Sequence, residues 1–220
     1  MMTGKQRVLG TIIAQGLLPL FFYKDAAVSL EIIQTLYKAG VRVIEYTNRG
    51  EESLDNFIDI KKIQRKTMPD LYLGIGTIKT LEEAEAFISA GTDFIVSPIM
   101  NAEVAKIAIS QRMLWIPGCM TPTEIHVAQQ HGAELIKLFP GNILGPGFMA
   151  AIKDLFPGQL FIPTGGVDMG HKNIHAWFHA GVCAVGMGSK LISKEVLDNR
   201  LYEQLYNDTV KILATIQSIK

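Results

Sequence analysis

Short apolar runs alternate with helix-period segments through the whole chain, and helix ends marked by glycine recur at intervals of about two strand-helix units. In a chain of 220 residues these observations predict an α/β fold. The expected architecture is one (β/α)8 TIM barrel over residues 1–220, with an extra N-terminal helix. The recurring unit, a glycine followed after two residues by an apolar strand, stands at Gly40, Gly91, Gly132 and Gly181. These glycines precede the second, fourth, sixth and eighth predicted strands.

The elements follow in order. A leading helix is expected over about Gly4 to Ala14, and LLPLFF from Leu17 reads as the first strand. Asp25 caps a helix that carries Val28, Ile32 and Leu36 on one face and closes at Gly40. VRVIEY is the second strand, Glu52 to Lys66 the next helix, and LYLGIG the third strand after the Pro69-Asp70 turn. Thr80 with Glu83 forms a capping box before a helix that ends at Gly91, and DFIVSP follows as the fourth strand. After a helix beyond Asn101, WIPG is the fifth strand, and a helix runs from Thr121 to His131. ELIKLF, FIPTGG and CAVGMG are strands six, seven and eight. One last helix, about Lys194 to Ile219, aligns Leu197, Leu201 and Leu205.

Composition narrows the function. A hydrophobic fraction of 48% supports a sizeable core, and 21 basic against 21 acidic residues leave no overall field to gather nucleic acid or a membrane surface. An anionic ligand must therefore be caught locally. Cys119 and Cys183 lack metal spacing and lie in apolar surroundings, which suits a reducing cytoplasm. Lys5 and Arg7 before VLGTIIA faintly suggest a signal peptide, but Gln15, Gly16 and Pro19 interrupt the run. The longest uncharged apolar stretch, Gly16 to Tyr23, is too short to span a bilayer, so a cytoplasmic location is expected.

The central chemical feature is Lys137 inside the apolar run ELIKLFPG. A buried, unpaired ammonium costs several kcal/mol, and the usual escape is a depressed pKa that leaves a neutral, nucleophilic amine. The bland alternative is a lysine whose stem follows the strand while its head reaches solvent. Five residues beyond the recurring glycines stand Glu45, Val96, Lys137 and Gly186. Alternate barrel strands share interior layers, so Glu45 and Lys137 are expected to point inward at one height. A purely structural ion pair is the competing account.

An anion site is expected where strands seven and eight end, at Thr164-Gly165-Gly166 and Gly186-Met187-Gly188-Ser189, because glycine loops let backbone amides approach a phosphate. Arg49, just beyond the second strand, can grip a carboxylate, and Thr77 can add a hydroxyl to the same ligand. His171, His175 and His179 share a helix face, but that helix lies outside the barrel, so no metal is assigned there. His126 and His131 likewise read as surface helix residues.

Taken in order, VRVIEYTNR, GIGT, Ser97-Pro98, PGCMTPTE, KLFPG and PTGG resemble the 2-keto-3-deoxy-6-phosphogluconate (KDPG) / 4-hydroxy-2-oxoglutarate aldolase family of class I aldolases. The resemblance runs from about Leu17 to Ile192. It implies that Lys137 is the Schiff-base lysine and Glu45 the general acid/base, with Arg49 and Thr77 on the keto acid's carboxylate. It implies further that Pro98 and Phe139 wall the pyruvate pocket, and that Thr164, Gly165, Gly166, Gly188 and Ser189 contact sugar and phosphate. The implied substrate is a small 2-keto acid phosphate, with no metal or organic cofactor, in a homotrimer. The chain departs from the family pattern at Asn48 and Gly50, at Phe21 to Tyr23 where many members place an arginine, and at Met187 and Lys190 near the end of strand eight. These departures keep several readings open. They are KDPG cleavage, action on 4-hydroxy-2-oxoglutarate or the galactonate epimer, a non-catalytic phosphosugar-binding barrel, and a phosphate-binding barrel of isomerase or synthase type.

Overall fold

The computed structural model describes residues 3–220. The first part of the chain forms α1 (Gly4–Gln15), β1 (Leu17–Phe21), α2 (Ala26–Lys38), β2 (Val43–Thr47), α3 (Ser53–Thr67) and β3 (Tyr72–Gly76). There follow α4 (Leu81–Ser89), β4 (Phe94–Val96), α5 (Ala102–Ser110), β5 (Leu114–Ile116), β6 (Gly118–Cys119), α6 (Pro122–Gln130) and β7 (Leu135–Leu138). The last part holds α7 (Gly141–Ile152) with a 3-10 turn at Lys153–Leu155, then β8 (Leu160–Pro163), α8 (His171–Ala180), β9 (Val185–Met187), α9 (Lys194–Asp198) and α10 (Tyr202–Ile219).

All strand pairs are parallel, so paired strands must be joined by crossovers, and helices supply them. The caps come from the expected residues. The Asp25 side chain accepts from the amides of Ala27 and Val28 at 2.8 and 3.1 Å, and Thr80 with Glu83 closes a capping box. Among the described residues no helix is long and apolar enough to cross a membrane.

The strands form two sheets, one of six in the order β5-β4-β3-β2-β1-β9 and one of three in the order β6-β7-β8. The fifth predicted strand is thus two segments. Pro117 has no amide hydrogen to continue a ladder, so pairing with β4 stops at Ile116 and pairing with β7 begins at Gly118. An isolated parallel bridge, Thr164 to Gly186, links the ends of β8 and β9.

One further expectation changes. The last helix is divided into α9 and α10, and Arg200 between them takes the left-handed φ of 53°, which ends a right-handed helix. Leu197, Leu201 and Leu205 therefore do not share one helix. The segment after ELIKLF forms α7, broken at Gly145 with φ 70° and ψ 167° ahead of Pro146.

The core is layered. Ile44 and Tyr46 of β2, on the face away from the carboxylate of Glu45, join the cluster that packs the helices against the strands. The alternate positions build an inner cluster of Leu18, Val43, Val96, Ile116, Leu135 and Ile162, among others, each at most 1% exposed. Val8 and Ile12 of α1 pack into that same cluster, so the N-terminal helix plugs one end of the interior. Each such aliphatic side chain contributes ~1.5–3 kcal/mol relative to exposure. The parallel strands finish at the opposite end.

Candidate active site

On β2 the inward positions are Val43, Glu45 and Thr47, and the next residue in that alternation is Arg49. On β7 they are Leu135 and Lys137. Although β2 and β7 lie in different sheets, Lys137 Nζ and Glu45 Oε1 are 3.9 Å apart. Lys137 is 5% exposed and Glu45 1%, so the expected meeting of amine and carboxyl inside the molecule occurs, and neither head escapes to solvent. At 3.9 Å the two are near neighbours without a hydrogen bond, and both carboxyl oxygens lack any partner within the protein.

Desolvation dominates the electrostatics. Burial pushes the Glu45 carboxyl above its ordinary value, against the pull of Lys137 and Arg49. Burial pushes the Lys137 amine below its ordinary value, opposed by Glu45 and helped by Arg49. Both shifts run toward the neutral forms, the direction that suits a nucleophilic amine beside a proton-exchanging carboxyl. The Lys137 ammonium position also lies 5.1 Å from the Phe139 ring centroid, so that ring covers one side of the amine.

Two glycines on β3 make this possible. A Cβ on Gly76 would lie 1.9 Å from Glu45 Oε1, and one on Gly74 would lie 2.4 Å from the Phe94 ring. The GIG sequence is therefore the floor on which Glu45 and Phe94 rest. Thr77 directly beyond it takes a φ of 65°, unusual for a β-branched residue, and is half-buried. Pro98 is half-buried too, and its carbonyl would be 2.3 Å from a Cβ on Gly118.

A pocket of about 320 Å³ opens where the strands end. Of the predicted residues, Arg49 and Phe139 line one part of it, and Thr164, Gly165, Gly166, Gly188 and Ser189 line another. Thr77 and Pro98 do not line it, and Lys137 and Glu45 lie outside its wall. Gly165 and Gly166 have φ of 91° and 77°, values open to glycine at little cost. Gly186 leaves space for Thr164, whose Oγ1 would be 2.4 Å from a Cβ there.

Four residues at the site were given no role from the sequence. Phe22, Lys190 and Lys194 line the pocket, and Thr47 lies on the Glu45 face with its hydroxyl buried and unpartnered. Thr47 could have been found from its spacing of two from Glu45. Lys190 and Lys194 follow the glycine loop of strand eight, which was itself a signal. Phe22 packs over Gly50, where a Cβ would meet its ring at 2.4 Å, and that coupling has no one-dimensional signature.

The histidine row lies elsewhere. His171, His175 and His179 are exposed on α8 and stack with ring centroids 6.0 and 5.9 Å apart. Among the described residues no group of three or more His, Cys, Asp or Glu side chains is arranged to hold a metal ion.

The chain is 34% identical over 120 residues to the 2-dehydro-3-deoxy-6-phosphogalactonate aldolase of Escherichia coli (strain K12), covering 54% of this chain and 58% of that protein. It is 31% identical over 142 residues to the 2-dehydro-3-deoxy-phosphogluconate aldolase of Treponema pallidum (strain Nichols), covering 64% of this chain and 66% of that one. These matches therefore span under two thirds of either relative. The solved structure of a 4-hydroxy-2-oxoglutarate aldolase/2-deydro-3-deoxyphosphogluconate aldolase from TTHB1 superposes with a TM-score of 0.82 at 29% identity, covering 98% of this chain and 100% of that one. The profile of the family described as KDPG and KHG aldolase matches residues 11–207, and the chain belongs to that family.

Proposed function

We propose that the protein is a class I aldolase that cleaves 2-keto-3-deoxy-6-phosphogluconate to pyruvate and glyceraldehyde 3-phosphate. The observation that carries the reading is the buried Lys137–Glu45 pair at 3.9 Å with its unpartnered carboxyl; Phe139, whose ring centroid lies 5.1 Å from the amine, lines the pocket. Neutral Lys137 attacks the C2 ketone, and loss of water leaves an iminium that accepts the electrons of the breaking C3–C4 bond. Glu45 takes the C4 hydroxyl proton and later returns a proton to C3 of the enamine, after which hydrolysis frees pyruvate. Arg49 and Thr77 hold the keto acid's carboxylate. Pro98 and Phe139 wall the pyruvate half.

Thr164, Gly165, Gly166, Gly188 and Ser189 take the sugar and phosphate end. The phosphorylated substrate is favoured over 4-hydroxy-2-oxoglutarate by Lys190 and Lys194, exposed cations on the pocket wall that form no ion pair among the described residues. We read the two sheets as one (β/α)8 barrel in a single domain, supported by the direct run of β5 into β6 and by the Thr164–Gly186 bridge. A cytoplasmic homotrimer is the expected assembly, to be checked by light scattering.

The test is incubation with pyruvate and borohydride, then peptide mapping. A reduced adduct on Lys137 is expected, and it should vanish in Lys137→Ala. A folded wild-type protein with no adduct there would overturn the Schiff-base reading.

A further inference from the structure

Among the described residues, four buried side-chain oxygens lack a hydrogen-bond partner within the protein, and three of them are Glu45 Oε1, Glu45 Oε2 and Thr47 Oγ1. Buried polar atoms are nearly always paired, because desolvating one without compensation costs ~1–3 kcal/mol. Three at one place mark a chamber built to receive a polar atom from outside the protein. Thr47 is 0% exposed, and the proposed chemistry gives it no role.

The register brings these groups to one level. Thr47 is the ladder partner of Gly76, and neighbouring strands lie ~4.8 Å apart. Glu45 pairs with Gly74, one step lower, but its side chain reaches upward until Oε1 would be 1.9 Å from a Cβ on Gly76. The carboxyl thus lies against the bare glycine that is Thr47's ladder partner, on the face of β2 that Thr47 shares, and the carboxyl and hydroxyl make no bond to each other.

We infer that Thr47 is a positioning residue for proton transfer, its hydroxyl and the Glu45 carboxylate together holding one oxygen that relays the proton between Glu45 and the substrate's C4 hydroxyl. This rests on the aldolase reading above. The relay water gives one hydrogen bond to Glu45 and the other to Thr47 Oγ1, which leaves a lone pair facing the substrate. In the cleavage step the water takes the C4 hydroxyl proton as it passes its own to Glu45. The O–H electrons become the aldehyde C=O, and the C3–C4 pair moves into the iminium. Thr47 ends as it began. Its part is to stop the water turning away, which a carboxyl alone cannot do.

A threonine kept for packing and one kept for this relay respond oppositely to Thr47→Val. Valine preserves the shape and removes the unpaired hydroxyl, so the relay account predicts unchanged or higher stability in urea. It also predicts an unchanged pyruvate adduct on Lys137 and a kcat for cleavage lower by ~10–100-fold. Thr47→Ser, which restores the hydroxyl, should return kcat to within a few-fold of wild type. Wild-type kcat in Thr47→Val, or a loss of stability with no recovery of kcat in Thr47→Ser, overturns the inference while the adduct on Lys137 upholds the aldolase reading. A wild-type protein that forms no adduct overturns both.

Discussion

Gly76 offers the sharpest test of how the acid/base group is placed. In Gly76→Ala the new Cβ would lie 1.9 Å from Glu45 Oε1, 2.6 Å from Cδ and 2.8 Å from Cγ. An ordinary C···O contact is about 3.3 Å, so the carboxyl must retreat by ~1.4 Å. Gly76 has no left-handed φ, so alanine suits the backbone and the whole conflict falls on Glu45. Overpacking a core costs ~1–3 kcal/mol, partly offset by the ~0.4–1 kcal/mol that alanine gains by restricting the unfolded chain. The net loss of about 1–2 kcal/mol lowers Tm by ~2–8 °C in a chain of this size and leaves the protein folded. A misplacement of ~1 Å at a reacting group costs on the order of 100-fold in rate. The expected result is therefore a folded variant that still traps pyruvate on Lys137 and whose kcat for cleavage is ~100-fold lower. Coupled spectrophotometric turnover and borohydride trapping read the two effects separately. A kcat within a few-fold of wild type would refute the placement of the Glu45 carboxyl over Gly76.

Three other outcomes are expected. Because burial raises the Glu45 pKa above 4.5, its contribution to stability is present below pH ~4.5 and is lost as pH rises through the raised value. Wild type should then lose stability relative to Glu45→Gln over that window in urea titrations, and a pH-independent difference would contradict it. Lys190→Ala and Lys194→Ala should each raise KM for the phosphorylated substrate by ~3–10-fold, about 1 kcal/mol, in a salt-sensitive way. Unphosphorylated 4-hydroxy-2-oxoglutarate should be turned over unchanged, and equal effects on both substrates would remove the lysines from the phosphate end. Lys61, 3% exposed, pairs with Asp93, whose Oδ2 also accepts from the Leu73 amide at 2.7 Å. Asp93 keeps some solvent, so Lys61→Ala should cost ~1.5–3 kcal/mol in chemical denaturation, with kcat unaffected.

Local rules carried much of this molecule. Asp25 and Thr80 cap the helices they were expected to cap, because a side chain two or three residues from an amide needs no tertiary help. The register counted from the recurring glycines, with the shared layers of alternate strands, was enough to expect Glu45 and Lys137 on the inward face. What pattern reading could not supply was set by contacts between segments distant in sequence. Pro117 divides the fifth strand because β4 and β7 take their hydrogen bonds on either side of it. Leu197 and Leu205 keep helical spacing, but Arg200 turns the chain so that α9 and α10 pack separately. The distance of 3.9 Å between amine and carboxyl, the bare Gly76 beneath the carboxyl, and the unpaired hydroxyl of Thr47 exist only once β2, β3 and β7 are brought together. Residue types and spacing determined which groups face inward; close packing across strands, where a single Cβ would displace a carboxyl, decided where those groups meet.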